Sequence, residues 1–162
     1  IHGRRSIRKY VEGDVMDEQI ETMLKAAMAA PSASNRQPWH FYVIKDKAVL
    51  AELAENHQYG KMLANASIGI MVCGNIERNN TVGYIVQDCS AATQNLLLTV
   101  HELGLGAVWL GIYPRDERIE FSRRILDIPE HLIPIALISI GVPGEEKQPS
   151  NRFTEENITV IS

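Results

Sequence analysis

Long apolar runs, cysteine and aromatic residues are all scarce in this sequence. No stretch approaches the ~20 consecutive apolar residues that span a bilayer, so a membrane-spanning helix is not expected. The two cysteines, Cys73 and Cys89, are too few for the bridged framework of a small secreted domain, and they read as reduced, buried thiols. No secretory signal is recognisable, and a soluble cytoplasmic protein is expected. Aromatic residues make up 6% of the chain, and 20 acidic residues outnumber 16 basic ones for a net charge of -4. That balance argues against a protein that works by neutralising nucleic-acid phosphates, and no basic patch is interleaved with aromatics.

Several chemical signatures are missing too. "GLGAVW" at 104 to 109 imitates a dinucleotide fingerprint, but Trp109 stands where the third glycine belongs, and the run follows a helix instead of a strand. "HELGL" lacks the second histidine of a zinc helix, since position 105 is Leu105. His2, His40, His57, His101 and His131 are scattered, and most are expected to be structural. With no Walker loop and no G-x-S-x-G elbow, hydrolytic and metal chemistries lose most of their support, and no metal site is expected.

The 162 residues, 45% of them hydrophobic, suffice for one globular domain with a substantial core, expected to span 1–162. "DEQIETMLKAAMAA" (17 to 30) places Ile20, Met23, Leu24, Ala27 and Met28 on one helical face, with acids in the first turn and Pro31 as its stop. "HFYVIK" (40 to 45) is rich in aromatic and β-branched residues and predicts a strand. "DKAVLAELAEN" predicts a short amphipathic helix. "IGIMVCG" (68 to 74) has the pattern of a strand buried on both faces. A long helix is predicted over about 86 to 103, small-residue rich at "CSAAT", bulky at Leu96, Leu97, Val100 and Leu103, and ended by Gly104. "GAVWLG" and "IPIALISIG" (133 to 141) predict further strands, "RDERIEFSRRIL" another helix, and "ITVI" near the end an edge strand. An α+β domain follows.

Three polar constellations carry the candidate chemistry. In "RRSIRKY", Arg4, Arg5, Ser6 and Arg8 combine cations with a hydroxyl, a set that holds phosphate through charge-assisted bonds. A solvated basic turn or a nucleic-acid patch fits the same residues. "APSASNRQPWHF" (30 to 41) is short on charge, rich in hydrogen-bonding groups and twice fixed by proline. It suits a loop that lines a ligand as well as one whose side chains satisfy its own backbone. In "VWLG" (108 to 111), Gly111 lets backbone approach a flat ligand closely; an ordinary strand end is the alternative.

Taken in order, these segments, with "QDCSAATQNLLLTVHELGLGAVWLG", "IPEHLIPIALISIGVP" and a closing "NRF", resemble the nitroreductase family of flavin enzymes over nearly the whole chain. The resemblance implies a central mixed or antiparallel sheet flanked by helices, in an intertwined homodimer with FMN at the subunit interface. Arg4, Ser6 and Arg152 would hold the phosphate and ribityl end, with Arg5 in the same segment. Arg8 and Lys61 would lie beside the pyrimidine edge. Pro31, Ser32, Ala33 and Asn35 of the other subunit would cover the ring, and Leu110 and Gly111 would offer a backbone N–H near N5. The implied reaction passes electrons from NAD(P)H to a small electron-poor acceptor (a nitro compound, quinone or flavin) by a ping-pong mechanism with no catalytic side chain, because the cofactor carries the chemistry. The alternatives are a specialised flavin reductase or dehalogenase of the same superfamily, or a non-catalytic flavin-binding module. Two departures stand out. Ser150 occupies a position that is basic in many relatives, and "GNIERNNTVGY" crosses in a few residues the region where longer relatives insert a helical lid.

Overall fold

A computed structural model describes residues 1–161. Five strands and four α-helices alternate along the chain: β1 (Tyr10–Val11), α1 (Asp17–Met28), β2 (Trp39–Ile44), α2 (Lys47–Asn56), β3 (Ile68–Asn75), α3 (Val82–Glu102), β4 (Gly106–Gly111), α4 (Asp116–Leu126) and β5 (Leu132–Pro143). The twelve-residue β5 is the hub. One edge of β5 pairs with β3, which pairs in turn with β2; β4 pairs with the other edge, and two-residue β1 pairs with Val142 and Pro143 at the end of β5. All these pairings are antiparallel. One isolated parallel bridge, Ser6 to Ala107, lays the N-terminal segment along β4.

The alternation of side chains across the sheet builds two cores. Ile68, Ile70 and Val72 of β3 face α1 and α3, whereas Met71 and Cys73 join Leu50 and Leu53 of α2 and Phe121 of α4. Because β3 is covered by helices on both sides, its first seven residues are all buried. On α1, Ile20, Met23 and Ala27 are buried, while Met28, expected on the same face, lies exposed on the last turn. The Asp46 carboxylate caps α2 by accepting from the Ala48 N–H at 2.8 Å and the Val49 N–H at 3.3 Å.

The long helix α3 begins at Val82, four residues ahead of the expected start, where the Asn79 side chain accepts from the Thr81 N–H at 3.0 Å. It ends on Gly104 with φ +74°, the left-handed terminator anticipated from the sequence. Its approach to β3 is close: a Cβ on Gly74 would stand 1.9 Å from Ile85 Cγ2. Ala92 is buried in the chain's own core, while Ser90 and Ala91 stay half-exposed.

The expected edge strand at "ITVI" does not form. Residues 158 to 160 are exposed and carry no strand, following a single 3-10 turn at Glu155–Asn157. Its β-branched run has strand propensity but no partner edge in this chain, and propensity without pairing leaves a strand unsatisfied. None of the described helices is long and apolar enough to cross a membrane.

Candidate functional site

The N-terminal segment is clamped along its length. The Ile7 N–H donates to the Ala107 carbonyl at 2.9 Å, and the Ile7 side chain is buried. Tyr10 brings its hydroxyl to the Ile7 and Ser139 carbonyls, at 3.1 and 3.0 Å. Burial of that phenol pushes its pKa up to about 12, so it acts as a donor throughout the physiological range. On the other side, Glu145 accepts from the Arg8 N–H at 2.6 Å and the Lys9 N–H at 3.2 Å, and pairs with Lys147 at 3.1 Å. The Arg8 N–H foremost, and Lys147 with it, hold the Glu145 carboxyl below its ordinary range. Lys147 also donates to the Ser6 carbonyl at 2.8 Å.

This clamp fixes the backbone and leaves side chains free. Arg8 points to solvent. Arg4 and Arg5 line a cavity of about 390 Å³ with Leu97, Val100 and His101 of α3 and the 145 to 149 segment. Within it, Arg5 Nε is buried without a hydrogen-bond partner. Among the described residues, none of Arg4, Arg5, Arg8, Lys61 or Arg152 pairs with a carboxylate.

The loop after α1 satisfies its own backbone and is also strained. The Ser32 hydroxyl accepts from the Gln37 N–H at 2.9 Å, and the Ser32 carbonyl accepts from the Asn35 N–H at 2.9 Å. Ser34, Asn35 and Gln37 have φ of 52°, 53° and 49°. Non-glycine residues in that left-handed region cost about 1–3 kcal/mol each and persist where surrounding structure holds them, characteristically at functional sites. Here Asp88 of α3 does the holding: its Oδ1 accepts from the Ala33 N–H at 3.0 Å, and its Oδ2 is buried and unpartnered. Arg36 and Arg78 brace the far end, Arg36 donating to the Arg78 carbonyl at 3.1 Å and Arg78 to the Gln37 carbonyl at 2.9 Å.

At the end of β4, Leu110 is buried and Gly111 half-buried. A Cβ on Gly111 would meet nothing within 4 Å, so this strand end borders open space. The Gly111 carbonyl accepts from Arg118 Nη1 at 2.7 Å and lies 3.3 Å from His57 Nε2. Lys61 opens a short 3-10 helix, Lys61–Asn65, and is exposed. It lines a second cavity, of about 360 Å³, together with His57 and Gln58.

The sequence-predicted residues thus fall into two groups within one chain. Pro31, Ser32, Ala33 and Asn35 are anchored to α3 on one face of the sheet, and Arg4 and Arg5 share the α3 side. Lys61, Leu110 and Gly111 belong with α2 and α4 on the other. Arg152 lies on the exposed tail. His57, Asp88 and Glu145 were not anticipated. Only Asp88 had a visible signal, as a carboxylate on the otherwise apolar face formed by Ile85, Cys89 and Ala92. Cys73 and Cys89 are free and buried as expected, and burial pushes both thiols up to about 12. No cluster of metal-ligating side chains occurs among the described residues.

Comparison with known proteins adds independent information. The model of the nitroreductase family matches residues 1–66 and 56–142. The chain is 46% identical, over 98% of its length and 93% of the relative's, to an Archaeoglobus fulgidus protein provisionally named NADH dehydrogenase/NAD(P)H nitroreductase. A crystal structure of a Parabacteroides distasonis protein with the same provisional name superposes with TM-score 0.95 at 37% identity, covering 99% of this chain and 95% of that one. A provisionally named nitroreductase of Desulfovibrio desulfuricans, crystallised in complex with FMN, superposes with TM-score 0.86 at 34% identity, over 99% of this chain and 93% of that one.

Proposed function

The chain belongs to the nitroreductase family, and from that premise we propose that it is one FMN-binding domain acting, as a homodimer, as an NAD(P)H-dependent oxidoreductase. The observation that carries the reading is the N-terminal clamp. It fixes the backbone of Ser6, Ile7 and Arg8 through Ala107, Glu145 and Lys147, while Arg4, Arg5 and Arg8 have no carboxylate partners among the described residues. Structural arginines are normally spent on carboxylates or carbonyls; a row kept free suits an anionic ligand.

The residues present fit FMN. Arg4, Ser6 and Arg152 would hold the phosphate and ribityl end, with the unpartnered Arg5 Nε in the same cavity wall. Arg8 and Lys61 supply positive charge for the pyrimidine edge. Open space at Gly111 allows a flat ring to lie against the strand end, where Leu110 and Gly111 would offer a backbone N–H. Pro31, Ser32, Ala33 and Asn35 of one subunit would cover the ring held by the other. Such an exchange accounts for the separation, within a single chain, of the 31 to 35 loop on the α3 side from Lys61, Leu110 and Gly111 on the other.

Bound FMN supplies the redox chemistry, taking a hydride from NAD(P)H and returning electrons to an electron-poor acceptor. The protein's part is electrostatic and steric. Lys61 and Arg8 favour the negative charge that reduction adds at the pyrimidine edge. The strained 33 to 37 loop arrives preformed, so covering the ring costs little ordering. With one open face over the ring, donor and acceptor take turns. Purified protein should be yellow, bleach anaerobically with NAD(P)H, and give parallel double-reciprocal lines at several acceptor concentrations. Yellow protein that no nicotinamide bleaches would overturn the enzymatic reading, and intersecting lines would overturn the shared face.

A further inference from the structure

Resting on the flavin reading above, we propose that His57 is a positioning residue that locks the strand end at Gly111 and the cation at Lys61 into one rigid unit. These two features sit on different elements, and His57 and Gly111 are 54 residues apart in sequence. The imidazole is the short connection between them.

Its geometry leaves one arrangement. His57 follows the last residue of α2 and donates its N–H to the Leu53 carbonyl at 3.1 Å. The ring is 2% exposed. Nε2 lies 3.3 Å from the Gly111 carbonyl, which can only accept, so Nε2 carries the proton. Nδ1 lies 3.1 Å from the Tyr59 N–H, which can only donate, so Nδ1 is bare. Both nitrogens are therefore used and the tautomer is determined. Phe121 of α4 meets the ring edge-on at 6.2 Å, and Tyr59 at 6.5 Å.

The path onward to Lys61 is equally tied. The Gly60 N–H donates to the His57 carbonyl at 2.8 Å, and the Gly60 carbonyl accepts from the Leu63 N–H at 2.9 Å. A Cβ on Gly60 would stand 2.7 Å from His57 Cβ, so glycine is required for the turn to close on the histidine. From α4, Arg118 donates to the same Gly111 carbonyl, sets its guanidinium 5.9 Å from the Tyr59 ring centroid, and shares the neighbourhood with Glu117. Desolvation first, and Arg118 with it, lower the pKa of the imidazole. The ring therefore stays neutral and keeps both bonds near neutral pH. A histidine that only filled the core would not need a main-chain partner at each ring nitrogen.

The test uses FMN-loaded protein with two readouts, ring-nitrogen NMR shifts and the flavin midpoint potential. Wild-type His57 should show the Nε2–H tautomer at about pH 7; an Nδ1–H ring or an imidazolium overturns the proposal without any variant. His57→Phe keeps the ring and removes both bonds. It should lower the reduced-over-oxidised FMN affinity ratio about tenfold, equivalent to about 30 mV for a two-electron couple. Lys61→Ala should shift the potential in the same direction. His57→Gln, which offers one donor and one acceptor, should recover at least part of the loss. If His57→Phe holds FMN at the wild-type potential while Lys61→Ala lowers it, the positioning role is wrong and the flavin reading stands. Protein that holds no FMN overturns the reading itself.

Discussion

Arg152 and Lys61 are both exposed cations, yet reduction of a bound flavin would affect them differently. A phosphate keeps its charge through the reaction, so in the role proposed above Arg4 and Arg152 would serve oxidised and reduced cofactor alike. Removing either by Arg4→Ala or Arg152→Ala should cost about 1.5–3 kcal/mol of binding, a roughly ten- to hundredfold rise in the FMN Kd, with the midpoint potential unmoved. Flavin titration and potentiometry on the same preparations decide it; a shifted potential in Arg152→Ala would reverse the assignment of roles. Arg4 stood out in the sequence because a cluster of arginines around a hydroxyl departs from the acidic background, whereas Arg152 and Lys61 entered only through the resemblance to the family. His57 was not. Its two partners are main-chain groups, which have no residue-type signature, and it is one of five scattered histidines.

Elements were legible where burial dictated residue type along their whole length. The run "IGIMVCG" could only be a strand covered on both faces, and β3 is one. Two-residue β1 has no pattern to detect, since its pairing depends on Val142 and Pro143 at the far end of the chain. The left-handed positions at Ser34, Asn35 and Gln37 also escaped notice, because none is glycine and the hold on the loop comes from Asp88 on another element. Conversely, "ITVI" had strand composition but no edge to join. The junction of β3 with α3 gives the sharpest test at this scale. Because a methyl on Gly74 would stand 1.9 Å from Ile85 Cγ2, Gly74→Ala must push α3 off the sheet and should destabilise by about 1–3 kcal/mol. Chemical denaturation measures this, and Gly83→Ala, whose Cβ meets nothing within 4 Å, is the matched control.

For the molecule as a whole, the exposed tail is the feature that a single chain leaves unexplained. Phe153, Ile158, Val160 and Ile161 are all more than half exposed, and clustered apolar exposure of this kind marks an interaction surface. Sedimentation at low micromolar concentration should therefore show a dimer; a compact monomer carrying FMN would refute the assembly proposed above. Periodicity says nothing about the proposed dimer, because helical and strand patterns report burial without saying whose chain does the burying. The N-terminal clamp has a further consequence, for the order of events during synthesis. Arg8 and Lys9 meet Glu145 across 137 and 136 positions, and the Ser6 carbonyl meets Lys147 across 141. Contacts of such span are the slow ones in folding. On the ribosome, residues 6 to 9 must wait, unpaired, while more than a hundred further residues are added before Glu145 and Lys147 emerge, so this segment is made long before it can be fixed.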